Sequence, residues 1–248
     1  MTVNNPAPPS KSTGSFGSAQ NYHRMVGTFP STTTTDGHTF SAKMAMNKLA
    51  VLALVVAAAA AGSLFIHVAN VAVLVAMVAA FAVALVIAFR PRMAKSLAFV
   101  YAILEGVVLG WFSNLMSGGN KNIVEMAIVG TSVVFVGVLV LYRTGLVKVT
   151  QHVMNVVLVA TIGAAVAGFI AMLASWVIPG NSLVYVLVFG YLYLLIGTAN
   201  LLVDFDYLYK AQAAHLDAEG EWFGAFMMLL SLVIVYTSLL RILGGRRP

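Results

Sequence analysis

VAVLVAMVAAFAVALVIAF, residues 71–89, contains no charge, no amide and no hydroxyl. As an α-helix rising about 1.5 Å per residue it is about 28 Å long, close to the roughly 30 Å hydrocarbon thickness of a bilayer. Arg90-Pro91-Arg92 follows at once, a cationic stop suited to a headgroup boundary. A helix apolar on every face has no polar side to offer water, so this stretch reads as a transmembrane span. Working outward, similar runs recur near 49–69, 96–116, 123–142, 152–178, 183–206 and 222–243, which makes seven candidate spans. The breaks between them are His67 to Asn70, Arg90-Pro91-Arg92, Ser117-Gly118-Gly119-Asn120, Arg143-Thr144-Gly145, Pro179-Gly180-Asn181 and the charged stretch Asp217 to Glu221.

Composition agrees with that reading. The 248 residues are 60% hydrophobic and 9% charged, whereas soluble domains carry about 25% charged residues because their surfaces face water. The absence of cysteine excludes disulfides, thiol catalysis and cysteine-based metal sites. The formal charge of +6 comes from 14 Lys and Arg gathered in the N-terminal tail, the short loops and the C-terminal end. Such residues set topology and meet anionic lipid, so no nucleic-acid partner is needed to explain them.

Residues 1–46 are rich in Ser, Thr, Asn, Pro and Gly, include the tract Ser31-Thr32-Thr33-Thr34-Thr35, and read as a disordered tail before a transmembrane domain at 47–248. Ala57 to Gly62 resembles a signal cleavage site, but the polar stretch before it is too long for a signal peptide, so the first apolar segment is expected to be retained. Lys43, Lys48, Arg90, Arg92, Lys95, Arg143 and Lys148 fall on alternate loops with the N-terminus, which places that side in the cytoplasm of an inner (cytoplasmic) membrane. Seven spans then put Arg241, Arg246 and Arg247 on the opposite side, against the rule. Gly106 with Gly110, Gly163 with Ala167, and Ala164 with Gly168 are spaced as helix-packing faces.

Ionisable residues within the spans carry the chemistry, since a carboxylate at mid-helix costs about 2.5–3.5 kcal/mol on insertion scales. Glu105 lies ten residues after Lys95 and so near mid-bilayer, either as a hydrogen-bonded acid inside the bundle or as an ion or proton site. Asp204 and Asp206 are two residues apart near the end of the sixth span. At about 100° per residue they point about 200° apart, so at most one is expected to face the interior. Asp204 shares a stripe with Gly197 and Asn200 and is favoured for that place; Asp206 is spaced to pair with Lys210 one turn later. Arg90 and Arg92 are candidate counter-charges for either aspartate, or alternatively topology-setting arginines on lipid phosphate. The five histidines (His23, His38, His67, His152, His215) lack metal-ligand spacing, and neither a His-Glu-x-x-His nor a phosphate-binding Gly-rich loop with Lys is present. Gly130-Thr131-Ser132 lacks the Ser-Gly pattern of an intramembrane serine protease. No enzyme, no cofactor and no stably bound metal are expected. Tyr185, Tyr191, Tyr193 and the three tryptophans read as packing and interface anchors.

Tyr101-Ala102-Ile103-Leu104-Glu105-Gly106-Val107-Val108-Leu109-Gly110 on the third span, Phe205-Asp206 at the end of the sixth and Tyr236 in the seventh together resemble the Bax-inhibitor-motif membrane proteins, in their bacterial, apparently actinobacterial branch. The resemblance covers about residues 40 to 245 and leaves the tail outside it. It implies a seven-helix bundle with the last helix packed centrally, and a pH-sensitive calcium leak gated by a pair of buried carboxylates. Asp206 matches the first of that pair; the position of the second, two after the tyrosine, is Ser238. A carboxylate and a serine hydroxyl cannot share a proton as two carboxylates do. A turn placed near Glu219 sets Ser238 level with Asn200, and Asp206 near Ser231 and Leu232, so either the turn sits elsewhere or the cross-pairs are Asn200 to Ser238 and Asp206 to Ser231.

The leading expectation is a calcium or other cation leak with Asp206, Asp204, Glu105 and Asn200 along its path, the ion being transiently held by oxygen ligands. The alternatives are a non-conducting regulator that binds another membrane protein, such as a protease or stress component, and a proton-coupled solute carrier using Glu105.

Overall fold

The structure, a computed structural model, describes residues 39–65, 70–147, 149–174 and 183–245, side chains excepted at 64–65, 169–174 and 183–187. The tail tract at 31–35, His23, His38, His67, Lys148, Pro179 to Asn181, Arg246, Arg247 and the Tyr185 side chain lie outside the described residues.

Seven helices follow one another: α1 (Ala42–Phe65), α2 (Asn70–Phe89), α3 (Ala94–Ser117), α4 (Lys121–Arg143), α5 (Gln151–Ala174), α6 (Leu183–Ala213) and α7 (Gly220–Gly244), with a single 3₁₀ turn (Pro91–Met93) between α2 and α3. All seven contain a segment long and apolar enough to cross a membrane. Among the described residues there is no strand, only one isolated bridge between Thr39 and Asp217. The predicted breaks act as punctuation. Gly118 ends α3 in the left-handed region (φ 52°), and the Asn120 side chain caps α4 by accepting the Asn122 N–H at 3.1 Å.

Helix α7 is the axle of the bundle. No residue from Gly220 to Gly245 is exposed, because α6, α1, α4 and α3 pack around it, while α2 leans on α3 and α5 on α6 at the periphery. The expectation of a central last helix is met. Where lipid surrounds a bundle, burial brings no hydrophobic gain over lipid contact, so close backbone approach has to hold helices together. Gly106 and Gly110 supply it between the parallel helices α3 and α1. A Cβ on Gly106 would stand 2.6 Å from the Val56 carbonyl oxygen, and one on Gly110 2.5 Å from that of Ala60.

Helix α1 begins at Ala42, ahead of residue 47. Residues 42–46 are helical, and Thr39 to Ser41 dock on the α6–α7 turn, with the Phe40 N–H donating to the Leu216 carbonyl at 2.8 Å and the Phe40 ring buried against Tyr207. This docking puts the starts of α1 and α7 at one end of the bundle, called here the tail-side end. Gly244 abuts Met116 at the far end. Seven crossings therefore leave the two ends of the described chain on opposite faces, and Arg241 belongs to the far one.

Candidate functional site

Helix α6 carries both aspartates into protein, and the expectation that only one faces the interior is corrected. Asp204 is 4% exposed and Asp206 3%. The angular separation of about 200° holds, but α6 is wedged between α7 and α4, so opposite faces are both interior. Asp204 faces α7, where the Ser231 hydroxyl donates to its Oδ2 at 2.5 Å. Asp206 faces α4, where the Tyr142 hydroxyl donates to Oδ1 at 3.3 Å, and its Oδ2 meets Lys210 Nζ at 2.6 Å. The (i, i+4) pair read from the sequence is thus present.

Aromatic rings close the site toward the tail-side end. Tyr142 stacks on Tyr209 at 5.3 Å between centroids, and Arg143 Nε donates to the Tyr209 hydroxyl at 3.1 Å. Arg90 and Arg92 do not participate. Both side chains are exposed, and among the described residues neither forms an ion pair with Asp204 or Asp206; Lys210 fills that place. The reason is local, since Pro91 is the buried member of that turn and packs inward while the flanking arginines splay outward.

Of the two alternatives left by the hairpin count, the turn sits elsewhere, and neither cross-pair forms. Asp204 opposite Ser231 puts the centre of the α6–α7 turn between Asp217 and Ala218 rather than at Glu219, and that small shift exchanges Asp204 for Asp206 opposite Ser231. Asn200 instead makes a reciprocal pair with Thr161 of α5, at 3.0 Å and 2.8 Å. Ser238 is 1% exposed and donates to the Ile234 carbonyl of its own helix at 2.6 Å. It lies seven residues beyond Ser231, about 10 Å farther along α7, so it does not pair with either aspartate.

Glu105 is half-buried on α3 and interacts with the Tyr101 hydroxyl one turn earlier. Tyr101 meets Phe226 edge-on at 5.1 Å, and Ser113 meets the Tyr236 hydroxyl at 2.7 Å. These two contacts fix a parallel register between α3 and α7 in which Glu105 lies at the depth of Leu229 and Leu230, next to Ser231. Glu105 and Asp204 thus share a level in the bundle while having separate partners. Among the described residues no three His, Asp or Glu side chains gather as a metal-ion site.

Sequence reasoning missed a second cluster at the tail-side end. Glu221, 4% exposed in the first turn of α7, accepts the Ser41 N–H at 2.8 Å and pairs with Lys48 Nζ at 2.7 Å. Gln212 of α6 accepts the Ala42 N–H at 2.8 Å. The Ser41 and Ala42 N–H groups that begin α1 are therefore capped from α7 and α6 rather than by a neighbour in sequence. In the sequence Lys48 reads as a topology-setting charge and Glu221 as part of a charged break; their pairing, with Glu221 buried, is visible only in the fold.

The glycine-backed Glu105 on α3, the acidic end of α6 and the central α7 coincide with a family match: residues 9–247 match the family described as Bax inhibitor 1 like. The chain belongs to this family. The match also corrects the extent of the resemblance, because it takes in most of the polar tail instead of starting near residue 40. No individual curated protein matches the chain. Within the Bax inhibitor 1 like family, this member is a multi-pass membrane protein with seven candidate spans.

Proposed function

We propose that this protein is a cation leak of the cytoplasmic membrane, with its N-terminus in the cytoplasm, calcium or a similar hard cation as the transient ligand, and Asp204 as its protonation-sensitive group. One observation carries the reading: Asp204 is 4% exposed within a membrane span, and its hydrogen-bond partner is the neutral hydroxyl of Ser231. A carboxylate placed there is costly in a bundle that could hold a leucine instead, which marks it as a functional group. When ionised, Asp204 offers an oxygen ligand at the level of Glu105; when protonated, it offers a neutral hydroxyl and no attraction for a cation. Asp206 is held by Lys210 and Tyr142 and positions α6 against α4.

The test is calcium flux into liposomes containing the purified protein, scanned from about pH 5 to 8 beside Asp204→Asn. Flux that changes with pH in the wild type and becomes flat or absent in Asp204→Asn is the expected result. Flux equal to that of empty liposomes at every pH would refute it. A second reading, a non-conducting regulator of another membrane protein, is favoured by the separate partners of Glu105, Asp204 and Asp206, which form no shared acidic cluster.

A further inference from the structure

Arg241 stands in the last turn of α7 at the far end of the bundle, its guanidinium 5.3 Å from the centre of the Phe112 ring and 5.6 Å from that of Tyr193. Two aromatic faces suit a guanidinium, but rings accept none of its five N–H groups in the plane, as an oxyanion does. The half-buried position makes a counter-charge valuable, and the chain has few acids to offer. Of its eight acidic residues, Asp36, Asp217, Glu219 and Glu221 belong to the tail or the tail-side end, and Asp204, Asp206 and Glu105 lie deeper within the helices. Glu125 is the one acid near the far end; it is exposed on α4 and forms no ion pair with Arg241. Beyond Gly245 the sequence adds Arg246 and Arg247, which are further positive charge.

We propose that Arg241 binds a phosphate group from outside the chain, carried by a phospholipid of the leaflet at the far end, with Phe112 and Tyr193 orienting the guanidinium. Planar N–H pairs match two phosphate oxygens, and the helix C-terminus favours the cation that holds them. This site is independent of the cation-leak reading. It also accounts for the basic residue that runs against the loop-charge rule: Arg241 is a side chain in a ring-lined niche rather than a loop charge.

Native mass spectrometry of delipidated protein tests the proposal, with phosphatidylglycerol and a neutral glycolipid of the same acyl chains as probes. Wild type should retain phosphatidylglycerol over the glycolipid. Arg241→Gln should weaken that retention about tenfold, and Arg241→Lys, which keeps the charge without the planar donors, by a smaller factor. Arg90→Gln, which removes an exposed arginine from the other end, should leave it unchanged. Equal retention by wild type and Arg241→Gln overturns the site; if that variant is not recovered folded, equal retention by wild type and Arg241→Lys does so. Competition by about 10 mM inorganic phosphate separates the two sources: bound lipid that resists it supports the lipid assignment, and bound lipid that is lost to it overturns that assignment in favour of a soluble anion.

Discussion

Ser231 and Ser238 sit on the same helix and differ in what they satisfy. Ser231 donates to a buried carboxyl, whereas Ser238 returns its proton to its own backbone. Removing the first leaves Asp204 without its hydrogen-bond donor, so Ser231→Ala should destabilise the protein by about 1–3 kcal/mol. Ser238→Ala removes an (i, i−4) bond that helices do not need, and should cost under about 0.5 kcal/mol. Thermal unfolding in detergent ranks the two, and the reverse order would mean that the Ser231 bond does not support Asp204. The residue scale is also where sequence reading failed most. Lys210 opposite Asp206 was legible because (i, i+4) spacing is local. Asn200 with Thr161 and Asp204 with Ser231 were not, since a cross-helix partner depends on where a turn is centred. A displacement of one or two residues there rotates each side chain by 100° or more.

Helix ends and helix contacts obey different rules. Glu221 holds α1 to α7 through Lys48 and the Ser41 N–H, so Glu221→Ala removes a largely buried partner from both. It should cost about 3–5 kcal/mol, and Glu221→Gln, which keeps an acceptor for the N–H, distinctly less. Equal melting temperatures for the two variants would assign the whole effect to the charge. At the α1–α3 contact, Gly110→Leu places carbon where the Ala60 carbonyl already stands, and a loss of about 1–3 kcal/mol is expected by the same measurement. Gly163, with no atom within reach of an added Cβ, should tolerate Ala. The sequence showed three small-residue pairs: Gly106 with Gly110 meets the backbone of α1, Ala164 with Gly168 packs against Tyr193, and Gly163 with Ala167 is exposed; spacing cannot tell a packed stripe from one turned toward lipid.

For the whole molecule, seven apolar runs read from the sequence correspond to seven helices, because each run spans a bilayer by itself and needs no tertiary information to be seen. Their arrangement around α7 is invisible to hydropathy and came only from family resemblance. The topology can be tested directly in a chain that contains no cysteine. Single cysteines at His215, beside the α6–α7 turn, and at Gly119, between α3 and α4, should react with an impermeant maleimide from opposite sides of intact membrane vesicles. Labelling from one side would contradict an odd number of crossings.

A helix with no exposed residue that is made after the six helices it joins constrains biogenesis. When α6 has left the ribosome, its partners have nothing to close upon, and Asp204 faces an empty lane instead of Ser231. Six inserted helices are then an incomplete bundle whose Asp204 face is open to the bilayer and to membrane quality control. A chain ended at Ala213 should insert and yet be degraded far faster than the full chain in pulse–chase experiments. The first six helices are thus like barrel staves that stay open until their spindle arrives.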